Sequence, residues 1–324
     1  MVISLELLIF LALLSLAASF VNGGLGYGYS SLSVPLAILV IANKIINPVY
    51  VLVEACMNTV MLGFAGKANI KTTFRRVIPI VLPIVPGVIV GSYLLNLVAP
   101  LWVKFAVYAV LLPLILLQAA GFRKPIKKES AAGVPLGMGI GLLYSITTIS
   151  GPPIALFWSN QGMAKNEFKA AVAQVRIAES YLTCISYALL GLFTASTLQL
   201  FTITALPVLL GIPLGMMIVS KIAVETFRRF AMAFNAGVVG FGLSQVFLNL
   251  FKMTAYVSYS FWGLVLAIDI FLLYRYLKSR QSAPVQEKPV PFPTVRQMQQ
   301  ISDSGQTKAV GSVPNTSDTQ YNQK

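Results

Sequence analysis

The chain contains no histidine, two cysteines and ten acidic residues among its 324, and only 10% of its residues are charged. Without histidine there is no His-ligated metal and no His-based acid–base catalysis. Cys56 and Cys184 form neither a disulfide framework nor a CxxC pair, and in their apolar surroundings they read as small buried side chains. The few carboxylates are scattered, with no pair at one site, which argues against an intramembrane enzyme. No cofactor and no metal are expected. The scarcity of charge is itself informative. A soluble domain carries about 25% charged residues, whereas this chain is 56% hydrophobic with a mean hydropathy of +0.78. It reads as an all-α polytopic membrane protein.

The net charge of +14 comes from basic residues placed between apolar runs. There they set orientation and do not form a nucleic-acid surface. The first apolar run has no Lys or Arg before it and no cleavage pattern after it, so it is expected to be a membrane helix and not a removable signal.

Apolar segments fall near 2–21, 32–43, 48–66, 77–99, 102–120, 132–149, 152–160, 167–193, 198–220, 227–249 and 256–274. Most approach the ~20 residues that a helix needs to cross the hydrocarbon. The second and seventh are too short to cross as regular helices. Counting all eleven as crossings, with the N-terminus outside, puts sixteen basic residues in the inside loops and only Lys44, Lys104 and Lys252 outside. Treating the short segments as hairpins destroys that asymmetry. The positive-inside rule therefore predicts eleven crossings and a cytoplasmic C-terminus in a cell-membrane protein.

A repeat supports this count. Leu82-Pro83-x3-Gly87-x3-Gly91 matches Leu206-Pro207-x3-Gly211-x3-Gly215 at an offset of 124. Each Gly-x3-Gly puts two glycines on one helix face, where another helix can approach closely. With five segments per repeat the second must enter from the opposite side. The expected architecture is a 5+5 inverted repeat, 1–122 and 131–249, with a short, broken second helix in each half. An extra helix at 255–277 and a disordered cytoplasmic tail at 281–324 complete it.

The short segments follow backbone breaks, Asn22-Gly23-Gly24 through Pro35 in one half and Ser150-Gly151-Pro152-Pro153 in the other. Paired breaks in two halves of a membrane chain point to a transport site. Helices that start at such breaks present free N–H groups and a positive dipole end to an anion. Asn22, Ser150 and Tyr144 add side-chain donors. The alternative is that Gly and Pro merely permit tight bends. Residues 22–28 lack the Gly-Lys-Ser/Thr ending of a phosphate loop, so nucleotide binding is not expected.

Arg176 lies inside the eighth segment, with Glu179 and Ser180 on the same helix face and Gln174 near by. Glu54 shares a face with Asn58 in the third segment, and Glu54 and Gln174 occupy similar places in the two repeats. Ionisable groups at membrane depth are functional candidates. Arg176 suits an oxyanion, and Glu54 or Glu179 suits a coupling proton. The alternative is a structural ion pair of Arg176 with Glu54 or Glu179.

These residues carry a resemblance. The run from Ser150-Gly151-Pro152-Pro153 through Phe157, followed by Gln161-Gly162-Met163 and Phe168-Lys169-Ala170, resembles the second signature of the TauE/SafE sulfite exporter family. Gly23-Gly24-x-Gly26-x-Gly28 with Pro35 resembles its first, glycine-rich signature. Here Leu25 and Tyr27 split the glycine triplet, and Lys169 stands where arginine is usual. The resemblance covers about 5–275 and implies outward movement of sulfite or small organosulfonates. Together with the inverted repeat and the buried carboxyls, the chain reads as a secondary transporter working by alternating access, with a proton or sodium ion as coupling partner. An anion channel and a scaffold acting through its tail are the alternatives. Membrane lipid surrounds such a chain, and a homo-oligomer is compatible with it.

The topology is testable. In a protein lacking Cys56 and Cys184, cysteines placed at Ser130 and Ser282 should resist an impermeant thiol reagent added outside intact cells. Labelling of either from outside would refute the eleven-crossing arrangement.

Overall fold

The computed structural model describes residues 4–120, 126–163, 165–219, 221 and 224–281. Among these there are eleven helices and no strand. They are α1 Leu5–Leu25, α2 Tyr29–Val40, α3 Asn43–Ala65, α4 Lys67–Leu97, α5 Pro100–Ala120, α6 Glu129–Thr147, α7 Gly151–Asn160, α8 Lys165–Leu189, α9 Ala195–Val219, α10 Val224–Asn249 and α11 Ala255–Gln281. The expected tail lies outside the described residues, apart from Gln281 at the end of α11.

Eight of the helices are long and apolar enough to cross a membrane. The other three are α2, α7 and α8. At ~1.5 Å per residue, α2 with 12 residues and α7 with 10 fall short of a bilayer. α8 has the length, 25 residues, but Arg176 and Glu179 sit in its middle and lower its hydropathy. The chain is thus a multi-pass membrane protein whose least apolar long helix lies inside. α3 follows the same pattern, with 67% of its span buried against 17% for α11. Apolar side chains such as Leu82, Leu206, Leu209 and Phe271 cover the outer surface, as a lipid-facing surface requires.

In lipid the hydrophobic effect does not sort helices against one another, so close packing of small residues does. α4 lies along α6, and α1 lies along α9. At Gly87 of α4 an added Cβ would strike the Met138 carbonyl of α6, and at Gly137 of α6 one would strike the Ile80 carbonyl of α4. Gly211 and Gly215 meet the Ser19 hydroxyl and the Phe20 carbonyl of α1 in the same way, while Gly23 meets the Ile212 carbonyl of α9. Each Gly-x3-Gly motif is therefore a helix seam. α3 and α8 cross between these pairs, and α5 lies along α10.

The first break lies within its expected range, 22–35, but is narrower. α1 runs on through Asn22, Gly23 and Gly24, and the chain turns at Gly26 and Gly28, with φ of +84° and +114°. Gly23 and Gly24 stay helical because α9 presses on them, and the turn falls where a left-handed backbone is needed. α2 accordingly starts three residues early and ends at Val40. The second break is Thr148–Ile149–Ser150, with Thr148 itself left-handed at φ +58°.

The seam predicts unequal responses along α6. Gly137→Val should destabilise by about 1–3 kcal/mol or more, because the backbone of α4 cannot yield to the added atoms. Gly139→Ala, with nothing within 4 Å of its Cβ position, should melt like the parent. Thermal melting in detergent checks both.

Candidate functional site

The two breaks meet. A Cβ built at Gly151 would lie 3.3 Å from the Tyr27 ring, 3.5 Å from the Ser31 hydroxyl and 3.5 Å from Arg176 Nη1. Gly151 thus sits where the first break, the start of α2 and the middle of α8 converge. Gln118 of α5 ties the two breaks together. It accepts from the Tyr27 hydroxyl at 3.4 Å and donates to the Pro152 carbonyl at 2.5 Å.

Behind this junction lies a buried charge cluster. Arg176, Glu54 and Glu179 are each 0% exposed. Arg176 Nη2 pairs with Glu54 Oε1, which joins α8 to α3. Its Nη1 donates to Ser150 Oγ at 3.3 Å, and Ser150 donates to Glu179 Oε2 at 2.5 Å. Ser30 and Tyr144 face Glu54, and the Tyr144 ring stands 6.0 Å from the guanidinium. Asn58 donates to the Arg176 carbonyl at 3.5 Å, and Ser180 donates to the same oxygen at 2.7 Å. One guanidinium therefore faces two carboxyl groups in a dry interior, where a carboxylate without a cation partner is costly.

The helix ends contribute unequally. α2 opens with the N–H groups of Tyr29, Ser30 and Ser31, while Leu32 N–H already bonds Gly28 O at 3.1 Å. α7 opens on Gly151, Pro152 and Pro153, and Ile154 N–H bonds Ser150 O at 3.2 Å. Proline has no N–H, so α7 offers an anion only the Gly151 donor. The two helix starts therefore carry different numbers of open N–H groups. A cavity of 260 Å³ adjoins this point, touching Gly28 and Ser31 on one side and Asn235 of α10 on the other. The Ser31 hydroxyl and both amide atoms of Asn235 are buried without hydrogen-bond partners.

The structure gathers Ser150, Gly151, Pro152, Arg176, Glu54, Glu179 and Asn58 at one place. Pro153 follows in the first turn of α7. Asn22 is buried in the last turn of α1 with its amide unpartnered. Gly23 and Gly24 face α9, and the Pro35 carbonyl accepts from Tyr108 of α5 at 2.9 Å. Gln174 turns away from the cluster and donates to Thr73 of α4 at 2.6 Å. Sequence reasoning missed Tyr27, Ser31, Gln118 and Asn235. Gln118 and Asn235 carried a signal, as uncharged polar residues inside apolar helices.

A double-mutant cycle on Glu54 and Arg176 follows from this geometry. Removal of one partner should cost about 3–5 kcal/mol, because the other is left buried and unpaired. Glu54→Leu combined with Arg176→Leu should recover much of that loss. Denaturation of the four proteins measures it, and fully additive losses would rule out a coupled pair.

No curated protein and no solved structure matches the chain. A comparison with protein-family models matches residues 11–243 to "Sulfite exporter TauE/SafE", a span from α1 into α10 that includes both breaks and the charge cluster. That span is well over half of the 324 residues, and the chain belongs to the sulfite exporter TauE/SafE family of membrane transporters.

Proposed function

We propose that the protein is a secondary transporter that exports a small anion, sulfite or a small organosulfonate, by alternating access, with the substrate bound where the two breaks meet. The observation that carries this reading is the fully buried Arg176 at the junction of Gly151, Tyr27 and Ser31. The planar guanidinium fork matches a sulfur oxyanion. The open N–H groups of α2 and the Ser31 hydroxyl add neutral donors around the same point. Burial of the whole cluster favours a carrier over a channel, since an anion reaches Arg176 only after helices move.

An inverted repeat of 1–122 and 131–249 underlies this mechanism. Exchange of α1 with α6, α2 with α7, α3 with α8, α4 with α9 and α5 with α10 carries the seam α4–α6 into α9–α1, and leaves the pairs α3–α8 and α5–α10 unchanged. Gly26 and Thr148, the left-handed caps of α1 and α6, are counterparts under this exchange. The same register, 122 residues, relates Glu54 to Arg176 and Thr59 to Tyr181, which share a 3.0 Å hydrogen bond. Glu54 is thus matched with Arg176 and not with Gln174. The N-terminus lies outside and the C-terminal end of α11 faces the cytoplasm, following the basic residues.

Coupling follows from charge. With both carboxyls ionised the cluster carries one negative charge in excess, which repels an anion. A cation taken up by Glu54 releases Arg176 for the substrate, and a proton is the simplest one. Glu179 stands ready as the second carboxyl through Ser150.

Proteoliposomes containing the full chain should show saturable flux of sulfite or a small organosulfonate, stimulated by a pH gradient. Arg176→Gln should cut the rate at least about tenfold, and Glu54→Gln should abolish the stimulation. Normal flux in a stably inserted Arg176→Gln protein would refute the site, and non-saturating flux would refute the carrier.

A further inference from the structure

The end of the molecule opposite the basic loops carries Lys44, Lys104 and Lys252. Lys44 is engaged, donating to the Asn96 carbonyl at 2.7 Å. Lys104, in the second turn of α5, is half-buried and belongs to no ion pair among the described residues. It lines a cavity of 370 Å³ between α5 and α10, beneath the last residues of α2. The remaining polar lining is neutral and comes from Tyr108, Gln245 and Asn249. Gln245 donates to the Tyr259 hydroxyl at 3.1 Å, and Asn249 donates to the Gln245 carbonyl at 2.7 Å. Among the described residues, no carboxylate lines this cavity. A half-buried ammonium in neutral surroundings lacks a counter-charge, and the space beside it is large enough for a small oxyanion.

The floor of the cavity is tied to the transport site. The Tyr108 ring lies so close over Gly242 that any Cβ there would collide with it. This position carries the Tyr108 hydroxyl to the Pro35 carbonyl at 2.9 Å. Pro35 lies in α2, whose first turn holds Ser30 beside Glu54 and Ser31 beside Gly151.

We propose that the Lys104 cavity is a second anion site, a vestibule that holds a small oxyanion of the monovalent sulfonate class before entry or after release on the side poor in basic residues. It extends the transport reading in its ligand class, but it stands on its own cavity. A single cation with a neutral rim makes a weak, fast-exchanging site, as a vestibule requires, and it concentrates anions at the mouth. A phospholipid headgroup offers the same oxyanion chemistry, and exposed Trp102 near by marks the interfacial depth at which one sits.

The test uses the full chain without Cys56 and Cys184, with Asn249→Cys, in a phosphate-free maltoside detergent. The thiol is labelled with methanethiosulfonates bearing either an ethylsulfonate or an ethyltrimethylammonium group. The anionic reagent should be favoured. That preference should fall about fivefold in Lys104→Gln and survive in Lys104→Arg. Methanesulfonate should slow labelling when Lys104 is present and not in Lys104→Gln. The protection measurement with Lys104 intact needs no charge variant, so misfolding of Lys104→Gln does not spoil the test. A preference indifferent to Lys104→Gln would overturn the proposal. So would protection by phosphatidylglycerol micelles without protection by methanesulfonate, which would assign the cavity to a lipid headgroup. Labelling does not depend on flux, so a protein that carries no anion at all would fail as a transporter and leave this result standing.

Discussion

A guanidinium buried among helices has to be neutralised where it stands, and Arg176 makes that demand in the middle of α8. Water cannot reach it, and a lone charge at that depth would cost more than the protein's net stability. Glu54 answers from α3 and Ser150 from the second break, and Glu179 is drawn in behind Ser150. Three separate stretches of chain are fixed relative to one another by this one side chain. One guanidinium stands among two carboxyl groups, so the cluster is not a closed one-to-one ion pair.

The surroundings are arranged so that this polar centre can exist. Apolar seams do the holding, α4 against α6 and α1 against α9, with glycines at the contact so that backbones touch. These seams leave α3 and α8 to carry the residues that no lipid-facing helix tolerates. The short helices α2 and α7 bring their ends into the interior, where the irregular backbone of the breaks is covered by protein.

Most of this architecture was legible in the chain because lipid imposes simple rules. Long apolar runs, two short ones and a deep arginine can be read directly. The Gly-x3-Gly repeat, at its offset of 124, marked two seams. The limits of α1 were misread. Gly23 and Gly24 look like helix breakers in isolation and are seam residues once α9 is in place. Gln174 looked like a member of the cluster because it lies two positions from Arg176 in the chain, but that spacing turns it to another side of α8, where α4 packs. Tyr27 and Gln118 lie ninety-one positions apart, and only the fold shows that they join.

Gly26 and Thr148 hold the same left-handed turn in the two halves, but they do not hold it at the same cost. A β-branched residue is strained there, by about 1–3 kcal/mol, whereas glycine is at ease. Thr148 is wedged in place by its own bonds, its N–H to the Tyr144 carbonyl at 2.6 Å and its hydroxyl to the Thr147 carbonyl at 2.6 Å. Two perfectly matched halves would give a rocking machine with equal resting positions. In a carrier that rocked about these two turns, Thr148 would be a spring fitted to one hinge only. Any motion that relaxed it while Gly26 kept its shape would shift the balance between two resting positions by about 5- to 150-fold, and such a carrier would have a preferred side on which to wait.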